Sequence, residues 1–393
     1  MIIYWKGLRV KGNRGNQPKN KWTHLLSRIL IAWEIGEGKV PFVMAQKRWI
    51  SPWKDSEVKP SVYHVVSRVV ERRFAFGDEE KEKFRMFMRM AENFTGCRVL
   101  TYCVMSNHFH ILLEVPPKPE GGLSDKVLFD RLRALYSKGQ ATAVLKKLEE
   151  YRKRGNQVAE AELRESYSYR MHDLSEFMKV LLQRFSHWFN RAHERKGRLW
   201  EQRFKSVLVQ NGVASRTMAA YIDLNPVRAG ICEDPADYRW SGYAEAIAGG
   251  KRARVGLVRA LRLDGRDSAT ARAWAQGRIG KEYRALLLNA AVEVKVDGVV
   301  KRKGMKEEQV SKELAALEAR KGDLAISKVV RHRVRYFTDG LAIGGKGFVD
   351  DIFEMSRERF GAKRTSGPRK PRGALGQMAG TIWSARDLRT GVG

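Results

Sequence analysis

The sequence predicts an α+β fold, a ferredoxin-like split βαβ antiparallel sheet with helices on one face, followed by a helical C-terminal extension. Three observations carry this. β-Branched or alternating stretches recur at 61–70, 98–105, 108–115 and 203–209. Two amphipathic stretches opening at Asp78 and Asp173 separate the first strand from the second and the third from the fourth. The middle strands are parted only by Ser106-Asn107, short enough for a tight hairpin. The order strand, helix, strand, strand, helix, strand defines the arrangement.

Each element has its own signal. "SVYHVVSRVV" (61–70) is β-branched and suits a pleated surface. Asp78 reads as an N-cap; Phe84, Phe87, Met88, Ala91 and Phe94 follow at helical spacing, and Gly96 reads as the stop. "RVLTYCVM" and "HFHILLEV" form the hairpin. Residues two apart on a strand share a face, so His108 and His110 point the same way. The polar, charge-rich segment 116–172 reads as an inserted helical pair. Asp173 and Glu176 give a capping-box-like start to a helix with an apolar stripe from Leu174 to Phe189. "RFKSVLV" (203–209) is the fourth strand, and Ser215 opens a short helix that Pro226 should end or kink.

The domain organisation expected from these patterns is a basic extension of low order over 1–59 and a core domain over 60–248 with the insertion at about 116–172. A helical accessory region over 249–360 and a basic, Gly- and Pro-containing disordered tail over 361–393 follow. Met44 is an alternative start, since regular pattern begins only after it.

Composition narrows the partner. Lys and Arg number 75 against 44 Asp and Glu, a formal charge of +31, while 43% hydrophobic residues suffice for a core. A polyanion is expected, with nucleic acid ahead of a membrane surface. The apolar run "LLSRILIAW" is broken by Arg28 and falls well short of the roughly 20 residues of a membrane span. Glu34 and Glu37 follow it without a small-residue cleavage site, so it does not read as a signal peptide. Cys97, Cys103 and Cys232 are odd in number and not in metal-type spacing, which argues against a disulfide framework and for a cytoplasmic location.

A His-hydrophobe-His triplet alone is a weak signal. A second constellation strengthens it: Tyr221 and Asn225, four apart in a helical segment, share a face. With that helix against the strand of His108 and His110, two imidazoles and one amide oxygen would surround a divalent ion and leave positions open, a set suited to Mg²⁺ or Mn²⁺. Tyr221 could then attack a phosphate polarised by the ion. Arg68, Arg203, Lys205 and Arg228 are candidates to track a DNA backbone, and Trp200 to stack on a base. His64 reads as structural or as a partner to the ligands.

Four motifs, "VYHVVSRVVERRFAF", "YCVMSNHFHILLEVP", "GRLWEQRFKSVLV" and "AAYIDLNPVRAGI", together resemble the single-tyrosine HUH transposases, in particular the REP-associated tyrosine transposase branch, over roughly 61–245. The resemblance implies a divalent metal held by His108 and His110, completed by Asn225, and a nucleophile at Tyr221. It further implies cleavage and rejoining of single-stranded, hairpin-bearing DNA through a 5′-phosphotyrosine, by a monomer or homodimer. Two rivals are a replication-initiator-type HUH nickase, against which the lack of a GxxxxGK[ST] loop speaks, and a catalytically silent protein binding structured nucleic acid. The insertion, the N-terminal extension and the long segment after the core depart from short members of the family.

Overall fold

The computed structural model describes residues 49–261, 274, 278–297, 299–302, 304–317, 337–338, 340–370 and 382–386. The expected extension over 1–59 lies outside these residues up to 48; of the rest, Trp49 and Trp53 pack against the core.

The core elements are β1 (Ser61–Arg68), α1 (Asp78–Thr95), β2 (Arg98–Val104), β3 (His108–Val115), α5 (Leu174–Ala192) and β4 (Lys205–Val209). The strands lie in the order β2-β3-β1-β4 with antiparallel neighbours, the ferredoxin-like order. Local chemistry sets the helix ends. The Glu80 carboxylate accepts the Gly77 N–H at 2.8 Å, Gly96 closes α1 in the left-handed conformation (φ 71°), and the Asp173 carboxylate accepts the Glu176 N–H at 2.8 Å.

Strand alternation gives the sheet two unlike faces. On one, Tyr63, Val65, Phe109, Ile111 and Leu113 meet Phe84, Met88 and Phe94 of α1 and Phe177, Leu181 and Phe185 of α5. On the other, Val62, Leu112, Val207 and Val209 meet α6 (Val213–Asp223), α8 (Gly242–Ile247), α9 (Lys251–Leu261) and α10 (Arg278–Ala291). The prediction of helices on one face holds for α1 and α5, and a second helical layer covers the opposite face. Gly256 permits that layer to lie close: a Cβ there would sit 2.6 Å from the carbonyl oxygens of Val99 and Leu100 on β2.

Two regions differ from the sequence reading. The insertion holds three helices instead of a pair: α2 (Asp125–Leu132), α3 (Lys138–Lys153) and α4 (Gln157–Ser168). Each starts at a residue whose side chain accepts a backbone N–H, namely Ser124, Ser137 and Asn156. The segment after the core is also not purely helical. A hairpin of β5 (Val294–Val296) and β6 (Val299–Arg302) precedes α11 (Glu307–Ala316). β7 (Ala342–Gly344) then adds to the sheet parallel to β4, α12 (Lys346–Glu354) follows, and β8 (Trp383–Ser384) pairs with β7. Strands of two or three residues carry no periodicity of their own and are made by pairing to an existing edge.

Within the expected disordered tail, Arg364, Gly367, Pro368, Ile382, Ser384 and Ala385 are buried, while most of 362–370 is exposed. The Arg364 guanidinium lies 4.6 Å from the centre of the Phe360 ring and donates to the carbonyls of Ser366, Gly367 and Arg386. Basic composition suggested disorder, whereas these arginine donors are spent on backbone acceptors. Among the described residues no helix is long and apolar enough to cross a membrane.

Candidate active site

The polar residues of the second face converge on one cleft of about 450 Å³. β3 contributes His108 and His110, β1 contributes Arg68 opposite His108, and β4 contributes Lys205. Tyr221 comes from α6 and Asn225 from the four-residue turn α7 (Asn225–Arg228). As Pro226 demands, α6 ends at Asp223, yet Tyr221 and Asn225 still line the same cleft.

Hydrogen bonds orient each candidate ligand. Asn107 donates its amide to the Arg72 carbonyl at 3.0 Å, so its oxygen is the atom 2.6 Å from His108 Nδ1 and accepts the proton there. This leaves His108 Nε2 unprotonated and available to a cation. His110 likewise spends Nδ1, on His64 at 2.9 Å. The Asn225 amide nitrogen donates to the carbonyls of Tyr221 and Ile222 at 3.3 and 3.2 Å, which leaves its oxygen as the acceptor. The rings of His108 and His110 stand 5.1 Å apart at 82°, a spacing one ion can bridge.

Burial keeps these imidazoles neutral at pH 7. It lowers His108 to about 4, with Arg68 adding repulsion, and lowers His64 to about 4 despite the bond to the Phe337 carbonyl. His110 is pushed well below its ordinary value by burial, then by His108 and His64. Neutral imidazole is the metal-binding form. The donor set of two imidazoles and one amide oxygen therefore fits a divalent cation of the Mg²⁺ or Mn²⁺ type. Among the described residues no group of three His, Cys, Asp or Glu is disposed to hold a metal, so the third protein donor would be the amide.

Tyr221 is fully buried. Its ring is flanked by His64 and His110, each 5.9 Å away, and by Phe337 at 4.6 Å. The Arg228 guanidinium lies 4.1 Å from the ring centre and donates to the Tyr221 carbonyl at 2.5 Å.

Of the residues predicted to meet DNA, Arg68, Arg203 and Lys205 line the cleft and are exposed. Arg228 and Trp200 are placed otherwise. Arg228 is turned inward onto Tyr221, and Trp200 belongs to the aromatic core: its ring meets Phe109 at 5.6 Å and Phe76 at 5.9 Å, and its N–H donates to Ser186 at 2.8 Å. An indole flanked by arginines reads alike in sequence for either role.

Sequence reasoning missed Arg72, Glu201, Gln202 and Thr338 among the lining residues, as well as Phe337 beneath them. Arg72 and Gln202 sit inside motifs already recognised and were within reach. Phe337 and Thr338 come from beyond the core, where no local pattern points to the cleft. With Arg68, Arg72, Arg203 and Lys205 against Glu201, the lining is strongly cationic.

The cleft is thus cationic and brings two imidazoles and a tyrosine together. Residues 57–121, from β1 through β3, match the family model described as "Transposase IS200 like". That span contains the first two of the four motifs, and over it the resemblance to single-tyrosine transposases is borne out. Among solved structures, a REP-associated tyrosine transposase bound to a REP hairpin is similar at 16% identity, covering 58% of this chain and 97% of that one. The TM-score of that match is 0.33. No curated protein matches the sequence.

Proposed function

We propose that this chain is a metal-dependent transposase that cleaves and rejoins single-stranded, hairpin-bearing DNA through Tyr221. One observation carries the reading: the cleft that gathers His108, His110 and Asn225 also holds Tyr221 and is lined by four cationic side chains. A divalent ion bound there would supply Lewis-acid stabilisation of the developing charge on phosphate.

In the reaction the Tyr221 phenol oxygen forms a bond to phosphorus as the bond from phosphorus to the 3′ oxygen breaks. The phenol proton passes to water in the cleft, and the departing 3′ oxygen takes up a proton to become a free 3′-hydroxyl. Attack by a 3′-hydroxyl on the phosphotyrosine reverses these steps and rejoins a strand. Arg68, Arg72, Arg203 and Lys205 hold the backbone phosphates on either side. Because the Tyr221 ring is covered, attack requires its exposure as DNA enters, and Phe337 and Arg228 are the groups that must yield.

Hairpin-bearing single-stranded DNA incubated with Mg²⁺ or Mn²⁺ tests the proposal. The wild type should form an adduct that survives denaturation, and Tyr221→Phe or a chelator should abolish it. A wild type that binds the DNA without forming an adduct would instead be a silent structured-nucleic-acid-binding protein.

A further inference from the structure

His64 occupies the middle of a hydrogen-bond chain that runs from the segment after the core to the candidate ligands. It is completely buried on β1, one strand away from His110. Its Nδ1 lies 2.9 Å from the Phe337 carbonyl oxygen and its Nε2 lies 2.9 Å from His110 Nδ1. The two imidazoles are nearly parallel, 14° apart with centres 5.1 Å from each other.

The direction of the chain follows from its end. A carbonyl oxygen accepts and cannot donate, so the proton in the first bond sits on His64 Nδ1. A neutral imidazole carries a single N–H, which makes His64 Nε2 an acceptor. The proton in the second bond must then sit on His110 Nδ1, and the lone pair of His110 is on Nε2. The other tautomer of His64 would leave the Phe337 contact without a proton.

We infer that His64 is a positioning residue, set by the Phe337 carbonyl, that fixes His110 in the tautomer whose Nε2 can take a metal ion. This rests on the reading of His108 and His110 as ligands. It gives the C-terminal segment a part in the site: the residue whose ring packs on Tyr221 also decides, two bonds away, where the proton on His110 lies. Partners of this kind orient ligating histidines, and their removal typically costs 10–100-fold in metal affinity.

Two measurements test it on the full chain. In the metal-free wild type labelled with ¹⁵N-histidine, long-range ¹H–¹⁵N spectra should show His110 protonated at Nδ1, with its signals assigned through a His110→Gln variant. In Mn²⁺ titrations, His64→Leu should weaken binding about 10–100-fold. His64→Gln, whose amide can both donate to the Phe337 carbonyl and accept from His110, should recover most of that loss. A His110 protonated at Nε2 overturns the inference without needing any variant to fold. So does Mn²⁺ binding by His64→Leu as tight as wild type, in which case the metal reading itself survives. A wild type that takes up no Mn²⁺ overturns both together.

Discussion

The two faces of the central sheet are built from the same strands and do opposite work. The face against α1 and α5 is closed by aromatic side chains, with Phe84 meeting Phe109 at 4.6 Å and Phe185 at 5.2 Å. The face against α6 buries His64, His110, Asp223 and Asn225 among its apolar residues. Burying polar groups costs free energy unless each finds a partner, and here the partners are specific. The Asp223 carboxylate accepts from Tyr283 at 2.6 Å, from Thr101 at 2.8 Å and from the Tyr243 N–H at 3.2 Å. One face is thus closed by apolar contact alone, and the other holds buried polar groups through specific partners.

The contrast predicts that damage to the two faces will read out differently. Phe84→Ala removes a fully buried ring from the aromatic face and should cost about 3–5 kcal/mol in denaturant unfolding. Its Mn²⁺ affinity, measured where the variant is still folded, should stay that of the wild type. A large loss of affinity in Phe84→Ala would mean that the faces are not separable.

Acid should strike the other face. His64 and His108 have folded-state values lowered from 6.5 to about 4, and His110 is lowered well below 6.5. The unfolded chain therefore binds protons first as pH falls, so the stability these groups confer is complete above 6.5 and is lost between there and about 4. Between pH 6.5 and 5.5 the metal-free protein should lose about 1 kcal/mol for each imidazole, followed by chemical denaturation at each pH. His64→Gln should flatten that dependence.

A smaller effect is expected where the polar face meets the C-terminal segment. Tyr283→Phe deletes one of three donors to Asp223, whose carboxyl burial already raises to about 7. The change should cost about 1–3 kcal/mol of stability in thermal or chemical unfolding. Phe84 and Tyr283 then calibrate the same sheet from its two sides.

How much of this was legible in the sequence follows the range of the signals. The four strands, α1, α5 and the shared direction of His108 and His110 rest on periods of 2 and 3.6 within short windows, and the structure forms them. Tyr221 and Asn225 were legible as a pair by their spacing, and α6 and α7 do bring them to the cleft. What stayed hidden depends on contacts made across the chain. The bond from His64 to Phe337 spans 273 residues, and no periodicity reports it. The placement of Trp200 and Arg228 was hidden for a different reason: their types suit a nucleic-acid contact or the core equally, and only packing separates the two. The short strands β7 and β8 exist through the edges they pair with.

Tyr221 is the residue proposed to become joined to DNA. The most direct measurement is peptide mass spectrometry of the protein after reaction with a hairpin-bearing single strand and Mn²⁺, followed by nuclease digestion. The expected product is a nucleotide linked through its 5′-phosphate to the peptide containing Tyr221, with the other tyrosines unmodified. A nucleotide linked to any other residue, or an adduct that persists in Tyr221→Phe, would contradict it.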